Sequence, residues 1–147
     1  MSITRLRLRF PSPALIVACL ALFAALGGST YAATQSSASR IHFTNAALKN
    51  HWKPASTTNP QLAHPGYAKD SSGVVHLRGA LFGGTDDTVA FVLPKGRRPS
   101  HALNVLVFSQ SGVAGGAVIQ RNGDVLPFGG NVTAFASLDG ISFVAGE

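Results

Sequence analysis

Between residues 74 and 82 the chain alternates: Val75, Leu77 and Leu81 recur two apart, Gly79 fills the slot between them, and His76 and Arg78 fall on the other side. Successive side chains of a strand point to opposite faces, so this is the pattern of a β-strand with one face buried. Asp70-Ser71-Ser72-Gly73 precedes it and Gly83-Gly84-Thr85-Asp86-Asp87 follows. Asp and Ser hydrogen-bond nearby backbone and Gly accepts positive φ, so both flanks read as turns. A half-buried strand needs a second layer against its apolar face, and the rest of the chain has to supply it.

The chain does so with further short strands. Thr88–Leu93 is the expected return strand, with Val89, Phe91 and Leu93 on one face. Residues 94–100 form a loop bracketed by Pro94 and Pro99, which cannot donate to a ladder. His101–Ser109 is apolar on both faces (Leu103, Val105, Val107; Ala102, Leu106, Phe108) and is expected to be a central strand. After the glycine-rich stretch 110–116, Ala117–Gln120 and Val125–Phe128 flank Arg121-Asn122-Gly123-Asp124, a strong hairpin signal. Gly129-Gly130 breaks the chain, Asn131–Leu138 alternates again, and Asp139-Gly140 turns it into Ile141–Ala145, with Ile141 and Phe143 facing inward. About seven short strands with turns every eight to twelve residues predict an all-β fold, a small antiparallel β-sandwich of jelly-roll-like type over residues 52–147. Only 12% of residues are charged and 16 are glycine, which favours strands over helices. So small a domain buries one modest core, and assembly into an oligomer would strengthen it.

Before the sandwich the composition changes. Arg5, Arg7 and Arg9 precede an apolar run, Ala14–Leu26, and small residues at 27–33. A basic start, an apolar core and a small-residue end define an export signal, expected to span 1–32 with cleavage after Ala32 or Ala33. Its Arg-x-Arg-x-Arg start and Ala-Leu-Gly-Gly-Ser-Thr-Tyr-Ala-Ala end resemble export signals of actinobacterial secreted proteins. The expected location is therefore secreted. The alternative is an uncleaved segment holding a structural protein at the membrane, since 14–33 approaches the ~20 residues that span a bilayer. Cys19, the single cysteine, lies inside the apolar run and leaves the remainder without a disulfide or a thiolate metal site. Residues 33–51 read as a flexible linker, and Trp52, the only tryptophan, marks the expected start of order. Pro54, Pro60 and Pro65 then forbid a regular helix.

The order of motifs is specific: Tyr67-x-Lys-Asp-x-x-Gly73-x-Val75-His-Leu77-x-Gly79, a Gly-Gly-Thr turn, Phe91-x-Leu-Pro94-x-Gly96-x-Arg98-Pro99, an Asn-Gly hairpin, and Ser137-Leu-Asp-Gly-Ile-Ser-Phe143. From about Trp52 to Ala145 this resembles the C-terminal β-sandwich knob of phage tail-fibre and baseplate receptor-binding proteins and of related secreted proteins. The resemblance implies a binding module, commonly trimeric, for saccharides or cell-surface polymers.

The remaining question is which residues have chemistry to offer. The histidines at 42, 51, 64, 76 and 101 are well separated, whereas a zinc site needs three or four convergent ligands; no metal or cofactor is expected. Ser137 beside Asp139 lacks a G-x-S-x-G elbow, and Asp70, Asp86, Asp87, Asp124 and Asp139 all fall in turns. No catalytic residue is therefore assigned, and the chain is read as non-enzymatic. The net charge of +6 halves to +3 once the three N-terminal arginines are set aside, and without a basic stripe interleaved with aromatics no nucleic-acid partner is expected. Lys95, Arg97 and Arg98 form the one basic cluster, suited to an anionic wall polymer. Trp52 and Tyr67 are candidate sugar platforms or anchors on the core. His76 and Arg78, on the outer side of the opening strand, are candidates for a ligand or for a subunit contact.

Overall fold

The computed structural model describes residues 41–146 and, ahead of them, Ala14 alone. The expected export signal and the linker up to residue 40 lie outside the described residues, Ala14 apart. Eleven short strands follow: β1 (Thr44–Asn45), β2 (Lys53–Pro54), β3 (Gly66–Lys69), β4 (Val74–Arg78), β5 (Ala80–Phe82), β6 (Phe91–Val92), β7 (Leu103–Ser109), β8 (Ala114–Ile119), β9 (Asp124–Phe128), β10 (Ala136–Ser137) and β11 (Ser142–Val144). They form two sheets, a four-stranded one in the order β1-β3-β4-β11 and a seven-stranded one in the order β2-β5-β10-β7-β8-β9-β6. Neighbouring strands are antiparallel throughout. One core joins the sheets: Val75 and Leu77 from β4 meet Leu81, Phe91, Val107, Ile119 and Val125 from the seven-stranded sheet. The protein is an all-β sandwich, and among the described residues no helix is long and apolar enough to cross a membrane.

Turn chemistry sets the registers. At the β3–β4 hairpin Asp70 Oδ1 accepts from the backbone N–H groups of Ser72 and Val74, each at 2.9 Å, while Gly73 takes φ +89°. At the β8–β9 hairpin Gln120 N–H donates to the Asp124 carbonyl at 2.8 Å, and Gly123 adopts φ +95°. That turn pairs Ile119 with Val125 and puts both in the core. A slip of one residue would turn both outward.

The run from 74 to 82 is two strands rather than one. Gly79 takes φ +82°, and there the chain leaves the four-stranded sheet at Arg78 and joins the seven-stranded sheet at Ala80. Asp139-Gly140 makes the reverse crossing, between β10 and β11. The two corners are bonded to each other: Gly79 N–H donates to Asp139 Oδ1 at 2.8 Å, and Leu138 N–H donates to the Gly79 carbonyl at 2.8 Å. This split, with the two-residue strands β1 and β2 and the strand β3 ahead of the 70–73 turn, accounts for eleven strands where seven were expected.

Four further segments differ from expectation. Of the return strand expected at Thr88–Leu93 only Phe91 and Val92 pair, and they pair with β9 rather than with the strand before them. Of the expected strand 131–138 only Ala136 and Ser137 pair, because Ala134 and Phe135 N–H groups both fold back onto the Asn131 carbonyl. Order begins before Trp52: Ala46 N–H donates to the Pro65 carbonyl and Lys49 N–H to the Ala90 carbonyl, both at 2.8 Å, so residues 44–50 belong to the sandwich rather than to a tether. Strand β7 is central in its sheet, as expected, but only one of its faces is covered; Leu106 is 82% and Phe108 63% exposed.

Candidate functional site

The outer side of β4 presents His76 and Arg78. His76 Nε2 lies 3.0 Å from Asp70 Oδ2, so the histidine reaches back to the turn that starts its own strand. Asp70 accepts from His76 and from the Ser72 hydroxyl and the Ser72 and Val74 amides; these bonds, His76 first, hold its carboxyl far below the ordinary value of 3.8. A carboxyl depressed by folding stabilises the fold fully above its ordinary value, and that stabilisation is lost as pH falls below it. Thermal melts taken from neutral pH down to about pH 2 should show a steep acid limb in wild type and a flatter one in Asp70→Asn, which has no carboxyl to titrate. Equal acid limbs would remove Asp70 as the cause.

The arginines cover aromatic rings. Arg78 Cζ sits 4.5 Å from the Phe43 ring centroid, and Arg97 Cζ 5.7 Å from that of Tyr67, both within cation–π range. Tyr67 is half-buried against the core, with Arg97 over it. Arg98 is held differently, its Nε donating to the Leu93 carbonyl at 2.8 Å. Trp52 is withdrawn from solvent: 4% exposed, its indole lies against Gly84, and Nε1 donates to Thr88 Oγ1 at 3.2 Å. It is an anchor for the chain between β1 and β2, without a face to offer a sugar.

The six expected site residues therefore do not converge. The structure brings Tyr67 and Arg97 together and leaves His76 and Arg78 on the outer side of the four-stranded sheet. Asp139 is occupied by Gly79 and by the Ser137 hydroxyl, which donates to it at 3.2 Å. Among the described residues no three His, Cys, Asp or Glu side chains gather as metal ligands would.

Sequence reasoning missed the outer face of the seven-stranded sheet. On β7, Leu106 lies opposite Gly116 of β8, and Gly116 lies opposite Phe128 of β9; the Phe128 ring rests on the glycine, where a side chain would collide with it. Phe108 meets Phe135 edge-on, with ring centroids 6.1 Å apart. Apart from Asp124 at the start of β9, no ionisable residue occurs in β7, β8 or β9. The apolar run at 103–108 was the available signal, assigned to burial on both sides when one side faces out.

Two antiparallel sheets sharing one core and bonded to each other at the Gly79 and Asp139 corners define an antiparallel β-sandwich. The chain is similar to the receptor binding protein (gp15) of Listeria phage PSA, with a TM-score of 0.55 and 18% identity over 91% of this chain and 79% of that one. No protein-family model and no curated protein matches it by sequence.

Proposed function

We propose that the protein is a secreted, non-enzymatic surface-binding module that acts as a homotrimer and engages a saccharide or other cell-envelope polymer. The observation that carries this reading is the sandwich it shares, over most of its length, with a protein described as a receptor binding protein. Fold alone is a weak guide to function, so the reading also draws on the exposed face of β7–β9. Large exposed apolar surface on a soluble domain marks an interaction site. The occupant we assign is further copies of the same chain. A sheet face that is apolar and nearly free of charge offers no handle to a charged partner, yet complements itself without repulsion or unpaired ions.

Sedimentation of the mature domain at micromolar concentration is expected to give a trimer. The double variant Leu106→Ser/Phe108→Ser should run as a monomer with an unchanged far-UV spectrum, because both side chains are exposed in the single chain. A wild-type monomer would overturn the assembly. Binding to isolated cell-envelope material, absent for a neutral control protein, tests the module itself. N-terminal sequencing of the exported protein separates release from membrane tethering: a start near Ala33 excludes the uncleaved anchor.

A further inference from the structure

We propose that one cleft of the sandwich, lined by Lys69, Lys95, Arg98 and Arg121, binds the oxyanion groups of an anionic polymer. Four segments distant in sequence build it: the end of β3, the loop between β6 and β7, the β8–β9 turn, and residues 145–146 after β11. It encloses about 460 Å³. All four ionisable residues of its lining are cations. Among the described residues none of them is within ion-pair distance of a carboxylate, and the single ion pair is that of His76 with Asp70.

Hydrogen bonds to backbone carbonyls, not ion pairs, fix two of the cations at the cleft. Lys69 Nζ donates to the Gly96 carbonyl at 3.0 Å, which ties β3 to the loop. Arg98 Nε donates to the Leu93 carbonyl, and the Arg98 carbonyl accepts from Gly146 N–H at 2.8 Å. The Arg98 side chain is laid against Gly123, where a Cβ would come within 2.7 Å of Nε, so the guanidinium is fixed in place. Among the described residues its terminal nitrogens make no hydrogen bond, which leaves the edge that suits a phosphate or carboxylate. Lys95 and Arg121, both exposed, add two further charges to the lining. No aromatic ring lines the cleft, so the stacking platforms of single-stranded nucleic-acid sites are missing. A set of cations with no acid among the described lining residues, around a fixed guanidinium, suits a repeating oxyanion: a phosphodiester or a uronate. As the ligand of a surface-binding module, the assignment rests on the reading above; as an anion site, it stands on this geometry.

The probes are sodium polyphosphate, polygalacturonate and neutral dextran, titrated calorimetrically into the full exported protein. One or both anionic polymers should bind and dextran should not, and the one that binds more tightly identifies phosphate or carboxylate as the preferred group. Lys95→Gln/Arg121→Gln, two exposed changes that leave the packing intact, should weaken that binding at least tenfold and reduce its salt dependence. Arg98→Lys keeps a charge but not the planar edge, and should also lose at least fivefold, measured only if its melt matches wild type. Glu147→Gln, the acid next to the cleft in sequence, should bind at least as well as wild type. Equal affinity in wild type and the Lys95/Arg121 variant, or no binding of either anionic polymer, overturns the site. Envelope binding that persists in that variant removes the cleft and keeps the module. Polyphosphate binding without envelope binding keeps the cleft and removes the module.

Discussion

Gly79→Ala is expected to destabilise the sandwich by roughly 3–5 kcal/mol, adding positive-φ strain to overpacking. Two penalties coincide at this corner. An L-residue at φ +82° is strained, and a Cβ there would lie 2.5–2.6 Å from the Ala63 carbonyl oxygen and the His64 carbonyl group. Both neighbours are backbone and cannot rotate away. Moving Gly79 would also disturb its bonds with Leu138 and Asp139, so both crossings between sheets loosen together. Gly73→Ala is the matched comparison. Its φ of +89° is as unfavourable, but its nearest neighbour is Lys69 Cε at 3.9 Å, so it should cost only about 1 kcal/mol. Urea unfolding of the two variants checks the difference; equal midpoints would mean that the contact with residues 63–64 yields. A domain of this size has a total stability of about 5–15 kcal/mol, so Gly79→Ala approaches the threshold for folding at all.

Trp52→Ala should cost about 3–5 kcal/mol, the range for removing a large buried aromatic. The indole fills the space over Gly84 and holds the chain between β1 and β2 on the core. Trp52→Phe separates the contributions. It restores most of the contact area and gives up the bond to Thr88, so about 1 kcal/mol should be lost. Urea unfolding followed by far-UV circular dichroism, which does not depend on the missing fluorophore, makes the measurement. A Trp52→Ala protein as stable as wild type would show that the segment ahead of β2 contributes nothing to folding.

What could be read in advance were the features that depend on neighbours in sequence. The turn at 70–73, the Asn122-Gly123 hairpin and the corner at 139–140 all formed where turn chemistry put them. So did the inward Phe91, Leu93 and Ile141. What escaped depends on residues far apart in the chain. Alternation runs through Gly79 unbroken, so nothing local reports that Arg78 and Ala80 belong to different sheets. The hydrophobicity of Leu106 and Phe108 says that they avoid water; it does not say whether their own chain covers them. Ala46 and Lys49 sit in a stretch with no pattern because their partners are the carbonyls of Pro65 and Ala90. Among the candidate site residues, Lys95, Arg97 and Arg98 were visible as a cluster. Lys69 and Arg121 join Lys95 and Arg98 only through strand register, and Arg97 turns instead to Tyr67.

The short strand β1 has a mechanical meaning. It pairs with β3 through Thr44 and Asn45 alone, at the edge of the four-stranded sheet. A pull entering the sandwich from residue 41 would meet these two residues first, then the Ala46–Pro65 and Lys49–Ala90 bonds, and only afterwards the indole of Trp52. Few bonds taken in succession give way at low force, while the core residues behind Trp52 stay packed. Freeing residues 41–50 in this way would lengthen the chain by roughly 3.3–3.6 Å per residue without unpacking the core.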